Sequence, residues 1–124
     1  KPTSAGKVCF SPVDLTCLYP TLLDLCGLPA NSANDGISVA KQVSDPTQAI
    51  ARPALMTYGL GNHAVRTQRW RYVRYADGTQ ELYDHKSDPN EWNNLADEKQ
   101  YKKVIEEHAE WIPQTNAKPF ENLR

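Results

Sequence analysis

The sequence lacks a long hydrophobic stretch, a strong net charge and an even number of cysteines. No run approaches the roughly 18 to 20 apolar residues that a membrane-spanning helix needs, so no membrane partner is expected. With 14 basic and 15 acidic residues, the net charge of -1 provides no field to attract nucleic acid. The odd count of Cys9, Cys17 and Cys26 excludes a complete set of intrachain disulfides. The 124 residues have the size of one modest domain.

The patterns of common catalytic and metal sites are also missing. No two histidines have the spacing of metal ligands in one element. The acidic residues Asp84, Asp88, Glu91 and Glu98 do not match a calcium-binding EF-hand loop. No activated serine, phosphate-binding glycine loop or zinc ligand set is present. The residues alone therefore predict a small α+β module without a complete active site.

The N-terminal part is predicted to contain one strongly apolar helix. Asp14 is the predicted N-cap, and Gly27 followed by Pro29 is the predicted helix stop. Pro20 predicts either a kink or a short first turn followed by a new helix. Apolar residues spaced by threes and fours form a wide stripe: Leu15, Leu18, Tyr19, Leu22, Leu23, Leu25 and Cys26. With a long connector, this helix makes up a first region, residues 1–52.

Residues 53–124 are predicted to form an antiparallel sheet followed by a helix. Alternating and aromatic segments at 54–58, 63–67 and 70–75 are typical of strands, and a fourth strand follows the Asp77-Gly78 turn. A two-residue type I′ turn would place Arg74 opposite Glu81 and Arg71 opposite Asp84. The expectation is a four-stranded antiparallel meander.

The last helix is predicted to pack on this sheet. Asp97 would be its N-cap, with Gln100 completing a capping box, and Pro113 would end it. One face collects Tyr101, Val104, Ile105, His108, Trp111 and Ile112.

His63 is the most interesting titratable residue. It follows the flexible segment 59–62 at a junction between loop and strand, where it can approach an anionic ligand. The alternative is a strand-edge histidine that only hydrogen-bonds the backbone, and Asn62 and Arg66 share either role. The basic and aromatic segment 69–74 also has two possible roles. Its rings could stack on the bases of single-stranded nucleic acid, or its arginines could pair with acidic residues of the sheet. The slightly negative net charge of the chain favours the second role.

Three stretches of the sequence carry a set of motifs in a fixed order. Val13-Asp14 with residues 19–29 is similar to a D-x-x-P-T-hydrophobic helix that ends in Gly, and residues 66–72 to an R-T-x-R-x-R/K-Y strand pair. Residues 81–84, 88–91 and 94–96 follow an E-L-Y-D, D-P-x-E and N-L-A progression. Together these motifs resemble the C-terminal region of the sulfatase family, and the run 61–66 resembles bacterial members related to iduronate sulfatases.

The resemblance implies part of an enzyme that hydrolyses sulfate esters of sugars. Such enzymes use a formylglycine, made from a C/S-x-P-x-R motif, and a calcium ion in their N-terminal portion. Here Cys9 is followed by Phe-Ser-Pro-Val, which does not match, so no catalytic residue, metal ligand or cofactor is expected in this chain. The expected partners are the N-terminal catalytic portion and a sulfated small molecule or glycan, in a periplasmic or extracellular setting.

The resemblance also suggests a role for each region. Residues 1–52 would form the edge of a larger α/β catalytic core, and residues 53–124 a C-terminal subdomain. His63, Asn62 and Arg66 are then the predicted substrate-binding residues. The alternative function is a stand-alone, non-catalytic module that binds a protein or a sulfated glycan.

Overall fold

The computed structural model describes residues 4–50 and 52–117. Their backbone divides into two compact units, Lys1–Pro53 and Ala54–Arg124. The first contains helices α1 (Leu18–Leu25) and α2 (Ala40–Ser44). The second contains strands β1–β4 and helix α3.

The first unit begins with a capped turn. The Asp14 carboxylate accepts a 3.1 Å hydrogen bond from the Thr16 N–H and caps the 3₁₀ turn Leu15–Cys17, as predicted. Helix α1 follows directly, with Pro20 in its first turn, where a missing N–H breaks no helical hydrogen bond. The alternative of a short turn followed by a new helix is therefore confirmed.

Gly27 ends α1 in the left-handed conformation, with φ of 65°. Its N–H donates to the Asp24 carbonyl at 3.1 Å, and the Leu28 N–H donates to the Leu23 carbonyl at 2.9 Å. This pair of bonds is a Schellman motif, which satisfies the last helical carbonyls. The predicted stop at Gly27 is confirmed.

The first unit buries little apolar surface. Among its described residues, only Cys17 and Thr21 are buried. Large apolar side chains that are more than half exposed are Val8, Phe10, Val13, Leu15, Leu18, Tyr19, Leu22, Leu25 and Leu28. The apolar stripe of α1 thus has no matching core within its own unit.

The second unit is built on a four-stranded antiparallel meander. Strands β1 (Ala54–Thr57), β2 (His63–Arg66), β3 (Trp70–Arg74) and β4 (Gln80–Asp84) lie in the order β1-β2-β3-β4. Alternation of apolar and polar residues was sufficient to locate all four. The predicted α+β fold, with a helix before the sheet and another after it, is confirmed.

The predicted register of the β3–β4 hairpin is wrong by one residue. Gly78 has a φ of 88° but Asp77 does not have a positive φ, so the turn is not type I′. The Gly78 N–H donates to the Tyr75 carbonyl at 3.0 Å, and the Tyr75 N–H donates to the Thr79 carbonyl at 2.9 Å. The loop therefore has three residues, and Arg74 lies opposite Gln80.

The arginine pairs predicted from that register change with it. Arg71 lies opposite Tyr83 and pairs with Glu91, whereas Asp84 lies opposite Trp70 and pairs with Arg69. The separation between Arg69 Nη2 and Asp84 Oδ2 is 2.7 Å. A one-residue slip moves each side chain to the other face of a strand, which explains both corrections.

One face of the sheet packs against α3 (Lys102–Ala109). The buried cluster is Val65, Tyr72, Leu82 and Ile112. Partly buried residues around it are Leu55, Trp70, Leu95, Ala96, Tyr101, Val104, Ile105 and Ala109. The opposite face presents Arg66, Arg71 and Tyr83, which are register partners; we call it the open face.

The predicted capping box at Asp97 is wrong. The Leu95 N–H donates to the Leu82 carbonyl at 2.9 Å, which holds the chain against the sheet. A 3₁₀ turn, Lys99–Tyr101, begins only after Glu98, whose side chain makes no capping bond. Helical structure therefore begins later than the sequence predicted.

The C-terminal end of α3 also differs from the prediction. The helix ends at Ala109 rather than at Pro113. The Ile112 N–H then donates to the Ala109 carbonyl at 3.1 Å, in a tighter turn that brings Ile112 into the core. Trp111, predicted on the packed face, is 48% exposed as a result.

Candidate functional site

Asn62 joins two loops at one end of the sheet. Its Nδ2 donates to the Tyr58 carbonyl at 2.9 Å, within the β1–β2 loop. Its Oδ1 accepts from the Ala76 N–H at 3.1 Å, in the β3–β4 turn. Gly59 and Gly61 have φ of 65° and 80°, which lets the loop fold back on itself. The β1–β2 loop is therefore held by side-chain and backbone bonds.

His63 is buried at the base of this loop. Only 3% of the residue is exposed, and its ring bonds side chains rather than the backbone. Nε2 lies 2.7 Å from Asn116 Oδ1, and Nδ1 lies 2.9 Å from Thr57 Oγ1. Because an amide oxygen only accepts, Nε2 carries a proton, whereas the Thr57 hydroxyl can donate to Nδ1 or accept from it. These two bonds hold the imidazole in place.

Arg66 lies at the other end of β2, on the open face. Its Nη1 donates to the Thr67 carbonyl at 2.6 Å, and its Nη2 donates to His85 Nδ1 at 2.9 Å. Burial lowers the pKa of Arg66 below its ordinary value. Asn62 and His63 are therefore neighbours, but Arg66 does not join them.

Arg66 instead belongs to a network that sequence reasoning missed. His85 Nε2 donates to Glu91 Oε1 at 2.6 Å, and Arg71 donates to the other oxygen of Glu91. Because the guanidinium of Arg66 donates to Nδ1, His85 is the neutral Nε2–H tautomer. Glu91 thus bonds Arg71 directly and is linked to Arg66 through His85.

Glu91 adopts an unusual backbone conformation for a residue with a side chain, with φ of 58°. The loop that contains it is closed by Asp88, whose carbonyl accepts from the Glu91 N–H at 3.2 Å. The Asp88 carboxylate accepts from the Asn93 N–H at 2.8 Å, and this bond lowers the pKa of Asp88. The left-handed turn directs the Glu91 carboxylate at Arg71 and His85.

A groove of about 450 Å³ lies beside the network on the second unit. Its lining residues are Met56, Thr57, Tyr58, Asn62, His63, Ala64, Arg71, Val73 and Tyr75. Two of the three predicted site residues, Asn62 and His63, thus border one groove. Arg71, for which the sequence predicts only an ion pair with Asp84, lines the same groove.

The aromatic strand does not form an exposed stacking platform for nucleic acid. Tyr72 is buried in the core, and burial raises its pKa. Trp70 packs against Tyr101, with ring centroids 5.4 Å apart, and the Arg69 guanidinium lies 4.6 Å from the Trp70 ring. These rings stabilise the fold of the second unit.

The residues that the structure describes do not fit a metal centre. Within 4–50 and 52–117, no group of three or more His, Cys, Asp or Glu side chains is arranged to hold a metal ion. Cys9, Cys17 and Cys26 are free thiols. No helix in this part of the chain is both long and apolar enough to cross a membrane.

Comparison with known families identifies the chain. The model of the family described as "N-sulphoglucosamine sulphohydrolase, C-terminal" matches residues 6–118. The chain belongs to this sulfatase family. The predicted resemblance to the C-terminal region of sulfatases is therefore confirmed.

Curated relatives and solved structures agree with this sulfatase assignment. The chain is 42% identical over 112 residues to a "Sulfatase" of Formosa agariphila, covering 90% of this chain and 22% of the relative. It is 34% identical over 100 residues to a "Delta 4,5-hexuronate-2-O-sulfatase" of Bacteroides thetaiotaomicron, covering 73% and 21%. That relative supports the likeness to iduronate-sulfatase-like members.

Among solved structures, one described as "a 2-O GAG sulfatase" matches with a TM-score of 0.62 and 32% identity. The match covers 75% of this chain and 22% of that structure. This sulfatase chain therefore spans about one fifth of the length of its relatives, and corresponds to their C-terminal region.

Proposed function

We propose that this chain is the C-terminal part of an enzyme that hydrolyses sulfate esters of sugars, and that it completes the substrate pocket. The observation that supports this most is the family match over residues 6–118, in a chain that spans only 22% of the length of the Formosa agariphila sulfatase. The chain makes no turnover alone. The formylglycine and calcium expected of the family would supply nucleophile and charge neutralisation from the catalytic portion.

The first unit would attach the chain to that catalytic portion. Its helix α1 exposes more than half of Leu18, Tyr19, Leu22 and Leu25, although its own unit has almost no apolar core. Exposed apolar surface of this extent favours burial against another part of the protein. Residues 1–52 then form the edge of the larger α/β core.

The second unit would border the substrate. Its β1–β2 loop is held by Asn62, and His63 fixes the base of the loop through Thr57 and Asn116. We assign Asn62 to the pocket wall and His63 to the positioning of that wall. Arg66 would act from the open face through its bond to His85.

The proposed substrate is a sulfated small molecule or glycan. One curated relative is named for 2-O-sulfatase activity on hexuronates, and one solved structure is described as a 2-O-sulfatase of glycosaminoglycans. A periplasmic or extracellular location fits such a substrate and completes the proposal.

The test uses the complete protein that contains this chain, assayed for sulfate release from a panel of sugar sulfates. His63→Ala should lower kcat/KM about 10-fold or more, because a misplaced pocket wall weakens substrate positioning. Asn62→Ala should act in the same direction without opening the core. Gln68→Ala, in the exposed turn at the opposite end of β2, is the matched control.

The melting temperature of each variant is compared with that of the wild type. A lower kcat/KM at an unchanged melting temperature indicates an effect on the pocket rather than unfolding. A wild-type protein that releases sulfate from no member of the panel would refute the proposed activity. Unchanged kinetics of both loop variants on the preferred substrate would instead refute the proposed pocket role.

A further inference from the structure

The groove on the second unit combines exposed aromatic rings with one cation. Tyr58 is 88% exposed, Met56 is half-exposed, and Tyr75 lies at the margin with its hydroxyl donating to Glu81. Ala64 and Val73 are buried and give the groove an apolar floor. Apolar and aromatic walls with a single charged group are typical of a small-ligand site.

Arg71 is that charged group, and its hydrogen-bonding capacity is only partly used. Within the described parts of the chain, Glu91 is its one hydrogen-bond partner, and Arg71 Nε is buried without any partner. Its side chain is 36% exposed. Arg66, directly opposite on β2, instead donates to Thr67, Trp70 and His85. Only Arg71 combines access to the groove with unused donors.

Arg66 and Arg71 lie directly opposite each other on neighbouring strands, and two carboxylates lie on the same face of the sheet. Glu91 bonds both Arg71 and His85, and Glu81, the register partner of Val73, accepts from the Tyr75 hydroxyl. Like charges directly opposite each other destabilise a sheet, and Glu91 offsets that repulsion. Of the two carboxylates only Glu91 bonds Arg71, so the other donors of the guanidinium remain for a ligand in the groove.

We propose that Arg71 binds an acidic group, either a carboxylate or a second sulfate, of a sugar seated in this groove. The inference rests on the proposed function and adds a specificity-determining residue to it. A guanidinium can bind either oxyanion through two parallel hydrogen bonds, which a lysine cannot do. The Tyr58 ring would cover the sugar face, while Glu91 holds the guanidinium from the other side.

The test compares two variants of the complete protein, because Arg71 also holds Glu91. Arg71→Gln removes the proposed anion-binding group and the ion pair together. Glu91→Gln removes the same ion pair but keeps the guanidinium. Three sulfate esters are assayed: a monosulfated uronic acid, a disulfated neutral hexose, and a monosulfated neutral hexose.

Arg71→Gln should raise KM about 10-fold or more for a substrate with the second acidic group, and change KM for the monosulfated neutral hexose far less. Glu91→Gln should keep or increase the preference for substrates with the second acidic group, because Arg71 is then released from its ion pair and all its N–H groups can bind the substrate. An effect on the uronic acid alone assigns a carboxylate, and one on the disulfated hexose alone assigns a sulfate.

Two results would overturn the proposal. One is an equal change for all three substrates in Arg71→Gln, which indicates a purely structural role or a surface covered by the rest of the protein. The other is an equal loss of preference in both variants. If the wild-type protein releases sulfate from none of the esters, the proposed function is wrong, and calorimetry with the free uronic acid tests the groove separately. The wild-type protein should then bind the uronic acid and Arg71→Gln should not; equal binding by both would refute the role of Arg71.

Discussion

Truncating Leu82 to alanine should remove a large part of the stability of the second unit. Leu82 is fully buried between Tyr72 and Ile112. Transfer of the lost carbon atoms alone amounts to about 2.4 kcal/mol, at roughly 0.8 kcal/mol per methylene. A cavity term is added when the surroundings cannot collapse, and measured leucine-to-alanine losses span about 2 to 5 kcal/mol.

The backbone around Leu82 limits such a collapse. Although β4 is an edge strand, the Leu82 N–H donates to Asn94 Oδ1 at 2.9 Å and the Leu82 carbonyl accepts from the Leu95 N–H at 2.9 Å. We therefore expect a loss in the upper part of the range, about 3 to 5 kcal/mol. Domains of this size have a total stability of roughly 4 to 10 kcal/mol, so the variant should be close to unfolding.

Urea unfolding followed by tryptophan fluorescence measures this loss, because Trp70 packs against the edge of the same core. Leu60→Ala, at a half-exposed position, is the matched control and should change the stability by about 0.5 kcal/mol or less. Leu82→Met, which conserves volume, should lose less than about 1.5 kcal/mol. A loss below about 1 kcal/mol for Leu82→Ala would show that this core is loosely packed and refute the reasoning.

Two further predictions concern charge and close packing. The bond from Arg69 lowers the pKa of Asp84 below its ordinary value of 3.8. The contribution of Asp84 to stability is therefore present above pH 3.8 and is lost as the pH falls through the lowered pKa. The difference in free energy of unfolding between wild type and Asp84→Asn, measured with urea, should become smaller in acid, and an equal difference at pH 3 and pH 7 would contradict this. In the first unit, a Cβ on Gly36 would lie 1.8 Å from the Thr16 carbonyl oxygen, so Gly36→Ala should displace the connector and speed its proteolysis. Ser32→Ala, at an exposed position of the same connector, is the control and should not. Equal cleavage of the two variants would show that the connector is not packed against Thr16.

Local chemistry was sufficient to predict most of the fold. Alternation located the four strands, and the Gly27 stop and the Asp14 cap followed from backbone rules that depend on near neighbours in the chain. The same reasoning failed at the β3–β4 turn, because Asp77-Gly78 is compatible with both a two-residue and a three-residue loop. In the three-residue loop, the Asp77 carboxylate accepts a 2.9 Å hydrogen bond from the Thr79 N–H.

The candidate site was predictable only in part. Asn62 and His63 are predictable because they follow a glycine-containing loop, and the structure brings them to one groove. Arg66 is close to them in the chain, but three residues along a strand reverse the face on which a side chain lies. The untested role of all three in substrate binding stays a prediction.

By itself, the sequence determined the order of helices and strands, the apolar stripe of the first helix and membership of a sulfatase family. Those properties depend on short-range periodicity and on motifs that stay together along the chain. Only the tertiary structure decided that Arg71 and His85 meet at Glu91. Their meeting depends on the exact register of the hairpin and on the left-handed backbone of Glu91, and neither is encoded in any short stretch of residues.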